Sequence, residues 1–262
     1  MKLIVVGPGR AGSSLALAAE SAGHDVVGVL SRHPVERWAS LEWDTALPEA
    51  DVVLVAVRDE AIPEVAARIA PYAERVGVVA HLSGFTPVLA LHEIQEQGTA
   101  VGGFHPLQSL PDPETGARAL PGSFVAIGGD QLGVDLLTHL ATSLGMEPFR
   151  LDDTARPAYH AAAAAAANFV VTALAVSGDL FRAAGVDPNV SRPLVETVVA
   201  NVFDKGAAAS LTGPIARGDI ETVVGHLTAA HEVSEDVGRQ FSLIAEATTI
   251  RAGREEDLRR WK

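Results

Sequence analysis

The chain of 262 residues contains no cysteine, which removes disulfides, thiol catalysis and thiolate metal sites from consideration. Histidine could still bind a metal, but the nine histidines show no HExxH-type spacing, so no metal site is expected. Positive charge is scarce: 20 Lys and Arg stand against 33 Asp and Glu, a formal net charge of −13. Such a surface repels phosphate backbones and anionic membranes, so neither nucleic acid nor a membrane is an expected partner. A small anion held by local groups remains possible. The opening MKLIVVGPG lacks the basic and apolar regions of a leader, and no apolar run reads as long enough to span a bilayer. The lack of a leader and of a spanning run sets the expectation of a soluble, cytoplasmic protein.

What the chain does have is an apolar share of 48%, enough for substantial cores in two modest domains. KLIVV at 2–6 is followed by glycines and then by SSLALAAESAG, a helix-favouring run. DVVGVLSR, ADVVLVAV, RVGVVAHLS, TAVGGFHP, SFVAIGG and EPFRL are further candidate strands, with helical segments between several of them. Alternating strands and helices predict a doubly wound parallel sheet with both faces covered. After Asp152 the strand-like runs stop and alanine-rich helical patterns take over. The expected architecture is α/β, a Rossmann domain over 1–152 followed by an all-α domain over 153–262. A helix is expected from Arg156–Pro157 to Gly185, a second restarts at Asp187–Pro188, and Asp219 and Ser234 are candidate caps for two more.

Gly7-Pro8-Gly9-Arg10-Ala11-Gly12 matches GxGxxG, and it follows a strand and opens a helix. The first glycine makes the tight turn, the second admits a pyrophosphate close to the backbone, and the third allows close helix packing. NAD enzymes place an acidic residue at the end of the second strand, whereas VVGVLSRHP offers Ser31, Arg32 and His33. A hydroxyl and a guanidinium suit a 2′-phosphate, so NADP (as NADPH) is the expected cofactor. Three further strand ends carry polar groups: Val57-Arg58-Asp59, His81-Leu82-Ser83-Gly84 and His105-Pro106-Leu107-Gln108. Val57, Arg58 and Ser83 are read as cofactor-binding and His105 as substrate-binding.

Taken together, GPGRAG, AVRDEAI, HLSG, HPLQ, YHAAA with the later Asn168, and LTGPIARGD resemble the Rossmann-like proteins that carry the C-terminal domain of unknown function 2520. These are relatives of the 6-phosphogluconate and β-hydroxyacid dehydrogenases, of pyrroline-5-carboxylate reductase and of ketopantoate reductase. The resemblance covers essentially the whole chain. It implies NADP chemistry on a small carbonyl or imine acid, and a homodimer formed through the helical domain. One departure is Arg58, where the family commonly has proline.

Reducing a ketone requires a proton at oxygen as well as hydride at carbon. Related β-hydroxyacid dehydrogenases place a lysine four residues before an asparagine on the first helix of the second domain. Here the asparagine is Asn168 and the residue four before it is Ala164. His160 lies one turn earlier, on a helical stripe with 163, 164, 167 and 171, about 12 Å of rise from Asn168. His160 is therefore the expected proton donor and Asn168 a substrate hydrogen-bond partner. In LTGPIARGD, Thr212 is a candidate substrate contact, and Arg217 a candidate partner for a substrate carboxylate or a cofactor phosphate. The expected function is an NADP-dependent oxidoreductase acting on a small carboxylate-bearing carbonyl substrate in an interdomain cleft. The alternatives are a cyclic imine reductase and an NADP-binding scaffold without chemistry.

Overall fold

The computed structural model describes residues 1–261. The polypeptide divides into two compact units, Met1–Ala164 and Ala165–Lys262. The composition changes at residue 152, whereas the first unit extends through the helix that follows.

In the first unit β1 (Lys2–Val6), α1 (Arg10–Ser21), β2 (Asp25–Leu30), β3 (Ala50–Val55), α2 (Ile62–Ile69), β4 (Val76–His81), α3 (His92–Glu96) and β5 (Ala100–Pro106) follow one another. Then come α4 (Pro113–Ala119), β6 (Phe124–Gly129), α5 (Gln131–Ser143), β7 (Glu147–Arg150) and α6 (Arg156–Ala164). All seven strands fall on the segments that the sequence nominates. They form one sheet in the order β2-β1-β3-β4-β5-β6-β7, and successive side chains alternate between its faces. Leu3, Val52, Leu54, Val78 and Phe104 pack with Leu15 of α1 and Leu137 of α5. Ile4, Val53, Val55 and Val79 pack with Ile62 and Ile69 of α2 and Ile94 of α3.

The sheet is not wholly parallel. β5 and β6 pair antiparallel, with His105 opposite Ala126, while the other neighbours are parallel. The segment between them docks on α1, where Gly116 sits against Ser14, and does not return across the sheet. β6 therefore starts where β5 ends, as the Leu107 amide to Phe124 carbonyl bond of 2.8 Å shows. The sequence reading misses α4 altogether, although Asp112 caps it by accepting from the Thr115 amide.

The second unit contains α7 (Val170–Ala183), α8 (Arg192–Lys205), the single-turn helices α9 (Ala207–Ser210) and α10 (Pro214–Arg217), α11 (Ile220–Val233) and α12 (Glu235–Arg251). Asp219 and Ser234 cap α11 and α12 as their positions predict. Gly185 and Gly218 take positive φ where helices stop. The buried core is thin, Val176, Ala230 and Val237 with Leu180, Phe241 and Ile244 packed against it. The expected continuous helix to Gly185 is interrupted by a π-helical stretch at Ala165–Phe169. Its wider turn breaks the stripe of 160, 163, 164, 167 and 171, which assumes an unbroken 3.6-residue period.

The expectation that no apolar run is long enough to span a bilayer is also overturned. The helical segment Asp153–Ala183, 31 residues, is long and apolar enough by length and composition to cross a membrane, and little of its most apolar window is buried. Polar residues near its ends and its run of alanines hide this in a scan for bulky apolar residues.

Asp130 joins two elements: one carboxylate oxygen caps α5 at the Gly133 amide and the other accepts from Val101 of β5, both at 2.8 Å. Asp130→Ala is expected to lower unfolding stability by about 2 kcal/mol, with Asp130→Asn less affected, in urea denaturation.

Candidate functional site

The strand order reverses between β1 and β3, and in such sheets the crevice outside the carboxyl ends at that point receives a dinucleotide. GPGRAG occupies it. Gly7 has φ +85°, and a methyl group on it would lie 2.9 Å from a Val57 methyl. On Gly12 a methyl would lie 2.6 Å from the Gly7 carbonyl oxygen and 2.9 Å from Ala56 Cβ. Both glycines are thus imposed by packing within the turn. Gly9 is different, since nothing lies within 4 Å of where its side chain would be. It is also the N-cap of α1, whose first turn has neither a side-chain cap nor an acidic residue. An open backbone at an uncapped helix N-terminus fits an anion such as a pyrophosphate.

Beside this turn a cavity of about 630 Å³ is lined by Arg10 and Ala11, by Ala56, Val57 and Arg58 after β3, and by Ser109, Leu110 and Pro111. Arg58 is exposed and reaches Glu60 at 3.3 Å. Pro8 lends its carbonyl to the Ser13 hydroxyl at 2.9 Å. At the end of β2, Arg32 and His33 are exposed. The Ser31 hydroxyl accepts from the His33 amide at 3.2 Å, and the Ser31 carbonyl accepts from Trp43.

A second group of polar residues gathers past the ends of β4 and β5, where the sheet brings His81 and His105 near the start of α6. Arg156, the first residue of α6, is fully buried. Its Nε donates to Asp153 at 2.7 Å and its Nη1 to the Ser83 carbonyl at 3.1 Å, while Nη2 has no partner among the described residues. Room for this guanidinium exists because Gly103 of β5 and Gly128 of β6 have no side chains, which would collide with it. One turn along α6, the Tyr159 hydroxyl lies 2.7 Å from His105 Nδ1. The His105 ring stands edge-on to Tyr159 and to His160, with centroids 5.4 and 5.8 Å away. Phe85 flanks His160.

Burial, then the Arg156 cation, pushes His81 down to about 4. Burial, then His160 and Arg156, does the same to His105. Both imidazoles are therefore neutral at pH 7. Burial pushes the Tyr159 phenol up to about 12, against the opposing pull of Arg156. Burial also opposes ionisation of Asp153, but the Val88 amide and Arg156 outweigh it and hold the carboxyl below its usual range. Ser83, read from sequence as a cofactor contact, has its hydroxyl fully engaged: it donates to Asp59 at 2.7 Å and accepts from the amides of Phe85 and Thr86. It organises the turn after β4.

The first unit thus brings together His105 and His160 from the sequence-nominated set. It adds Tyr159, Arg156, Asp153 and His81; Asp153 carried no signal in the sequence, and Arg156 only that of a helix-entry residue before proline. Asn168, Thr212 and Arg217 belong to the second unit, where all three are exposed. Asn168 lies in the π-helical stretch, and its carbonyl accepts from the Thr172 hydroxyl at 3.0 Å. Among the described residues no group of three His, Asp or Glu side chains is placed to hold a metal ion.

Residues 123–248 match the family model described as a domain of unknown function (DUF2520). No curated protein matches the chain. Several solved structures share its fold. A Bacteroides fragilis protein with an inferred NADP oxidoreductase assignment has TM-score 0.77 and 20% identity, over 95% of this chain and 97% of that one. Plasmodium falciparum pyrroline carboxylate reductase with NADP bound has TM-score 0.64 and 13% identity, over 95% and 99%. A Streptomyces aurantiacus imine reductase has TM-score 0.66 and 19% identity, over 97% and 95%. The fold is that of Rossmann oxidoreductases with a helical C-terminal domain.

His81 is buried beside the Arg156 cation, and among the described residues neither ring nitrogen makes a well-formed hydrogen bond, so protonating it weakens the fold. For a histidine lowered to about 4 the stabilising contribution is complete above the unfolded value near 6.5 and is lost as pH falls towards 4. Melting temperature is expected to drop between pH 7 and 4.5. His81→Leu should reduce that drop without loss of stability at neutral pH, as thermal melts across this range would show.

Proposed function

We propose that this Rossmann-like protein, with its DUF2520 domain over residues 123–248, is an NADPH-dependent reductase of small carboxylate-bearing carbonyl compounds. The observation that carries this reading is the pairing, in one unit, of an open Gly9 turn at the switch point with the His105–Tyr159–His160 group past the next strand ends.

The Gly7–Gly12 turn would hold the pyrophosphate through the α1 backbone amides, flanked by Pro8, Arg10 and Ala11, with Val57 and Arg58 on the opposite wall. Ser31 and Arg32 would take the 2′-phosphate, Arg32 as the charged partner. When bound, NADPH supplies hydride to the substrate carbon. The chain's own task is the oxygen. His160, whose ring centroid lies 5.8 Å from that of His105, is the proton donor to the developing alkoxide, with its proton replaced from water. Asn168, Thr212 and Arg217 are the substrate-binding candidates of the helical unit. The fold likeness to imine and pyrroline-carboxylate reductases makes a cyclic imine the competing substrate.

NADPH is expected to bind at least tenfold more tightly than NADH, and Arg32→Ala should erase that preference, by fluorescence titration. With ketopantoate as the test substrate, His160→Ala should lower kcat by about 10²-fold or more at unchanged NADPH affinity. Tighter NADH binding would remove the cofactor assignment, and unchanged turnover in both His160→Ala and Asn168→Ala would remove the catalytic one. NADPH binding without turnover of ketopantoate or pyrroline-5-carboxylate would favour the scaffold alternative.

The helical unit is read as a homodimerisation surface. Phe169, Val171, Leu194 and Phe203 are exposed, Phe203 at 85%, and apolar exposure on this scale marks an interface. Phe203→Glu should shift the chain from dimer to monomer in sedimentation velocity, and a wild-type monomer would refute the assignment.

A further inference from the structure

Among the described residues one non-glycine residue takes a positive φ, Asp44 at +63°. That conformation is disfavoured for any residue with a side chain, and it persists where the surroundings hold it. Here Arg68 of α2 holds it, with Nε and Nη2 donating to the two Asp44 carboxylate oxygens at 2.8 and 2.7 Å. The same guanidinium lies 4.3 Å from the centre of the Trp43 ring, within cation–π range. Trp43 is therefore fixed twice, through its ring by Arg68 and through its backbone by the constrained neighbour. Its indole Nε1 donates to the Ser31 carbonyl at 3.2 Å, across the loop that follows β2. The base of that loop is closed as well: the Val29 amide donates to the Ala39 carbonyl at 2.8 Å and the Leu41 amide to the Val29 carbonyl at 2.9 Å.

In a trans peptide the C=O and the following N–H point in opposite directions, and no peptide among the described residues is cis. With the Ser31 carbonyl turned to Trp43, the Arg32 amide points away from Trp43. That amide makes no hydrogen bond among the described residues. The Ser31 hydroxyl accepts from the His33 amide at 3.2 Å, which leaves its own proton free to donate. The Arg32 side chain is exposed. Two adjacent residues thus offer a hydroxyl, a backbone amide and a guanidinium, a donor set matched to the oxygens of a phosphate monoester.

We propose that Trp43 is a positioning residue for cofactor selectivity: its N–H, held in place by Arg68 and Asp44, orients the Ser31–Arg32 peptide so that these donors serve the 2′-phosphate of NADPH. This inference rests on the NADPH reading and assigns the selectivity to a residue that acts through Ser31. NADH carries a hydroxyl where NADPH carries the phosphate. A neutral hydroxyl gains far less than a charged phosphate from an oriented amide and a guanidinium, so loosening the peptide weakens NADPH and leaves NADH on the pyrophosphate turn.

The test uses the full chain and two pairs of ligands that differ in the 2′-phosphate, NADPH against NADH and adenosine 2′,5′-bisphosphate against 5′-AMP, by titration calorimetry. Trp43→Phe keeps an aromatic ring beside Arg68 and removes the N–H. It should weaken NADPH and the bisphosphate about fivefold, while NADH and 5′-AMP stay within about twofold. A general loosening of the unit would weaken all four alike. Arg68→Gln leaves the indole present but releases it, and should give the same selective loss at about threefold, so the test stands even if Trp43→Phe does not fold. In wild-type NMR spectra, the indole N–H resonance that Trp43→Phe removes should shift on adding the bisphosphate and stay in place with 5′-AMP.

A wild type that binds 5′-AMP as tightly as the bisphosphate overturns the NADPH reading and the positioning role together. A wild type that prefers the bisphosphate, with variants that keep this preference or lose affinity for all four ligands equally, overturns the positioning role alone. An indole resonance that ignores the bisphosphate, or answers both ligands alike, does the same. None of these readouts depends on turnover, so the role of Trp43 is decided whether or not a substrate is reduced.

Discussion

A guanidinium without access to water is the constraint around which the candidate site is arranged. Arg156 is paired with a single carboxylate, Asp153, and with one backbone carbonyl, Ser83. A buried cation is tolerated only when neighbouring groups solvate it, and these groups come from three directions. Asp153 lies just before α6 and also accepts from the Val88 amide, Ser83 ends the segment after β4, and Gly103 and Gly128 open the sheet itself. Seating Arg156 thus fixes the start of α6 against the carboxyl end of β4 and the adjoining strands. Tyr159 and His160, one turn along, are carried into place beside His105. The same charge adds to burial in disfavouring protonation of His81 and His105.

The glycine turn obeys a different constraint, one of space. Gly7 and Gly12 are crowded by Val57, Ala56 and each other, while Gly9 faces open room at a helix end with no cap of its own. Packing thereby makes the turn rigid on the protein side and bare on the other, the combination that a closely bound anion requires. At the histidines Gly84 serves packing instead, its missing side chain letting His105 and His160 close over the turn after β4. The second unit solves its own problem least completely by itself. Its core is a few residues deep, and large apolar side chains on α7 and α8 remain exposed.

How much was legible in the sequence follows from how local each signal is. The seven strands, the caps Asp219 and Ser234 and the turn at Gly185 rest on residues within a few positions of one another, and they appear where periodicity and cap chemistry put them. Asp112-Pro113-Glu114-Thr115 is equally local, a cap followed by a proline at the first helical position, so the start of α4 is encoded in its own four residues. The π-helical stretch at Ala165–Phe169 was not available, because seven alanines carry the same propensity for any helical register. The antiparallel pairing of β6 was hidden for another reason: it depends on the packing of α4 against α1, a contact between segments far apart in the chain.

The α/β class, the glycine turn at the end of β1, the non-acidic end of β2 and the histidines at the ends of β4 and β5 are all legible without coordinates. These are properties of short segments, set by side-chain alternation, backbone freedom and charge. The burial of Arg156, the bond from the Ser83 hydroxyl to Asp59, and the meeting of His105 with Tyr159 and His160 beside Gly84 come from the three-dimensional arrangement. Each of these depends on which strands are neighbours and on how much water is excluded between them. Burial and through-space charge have no counterpart in a list of residues, and they are what sets the protonation of this cluster.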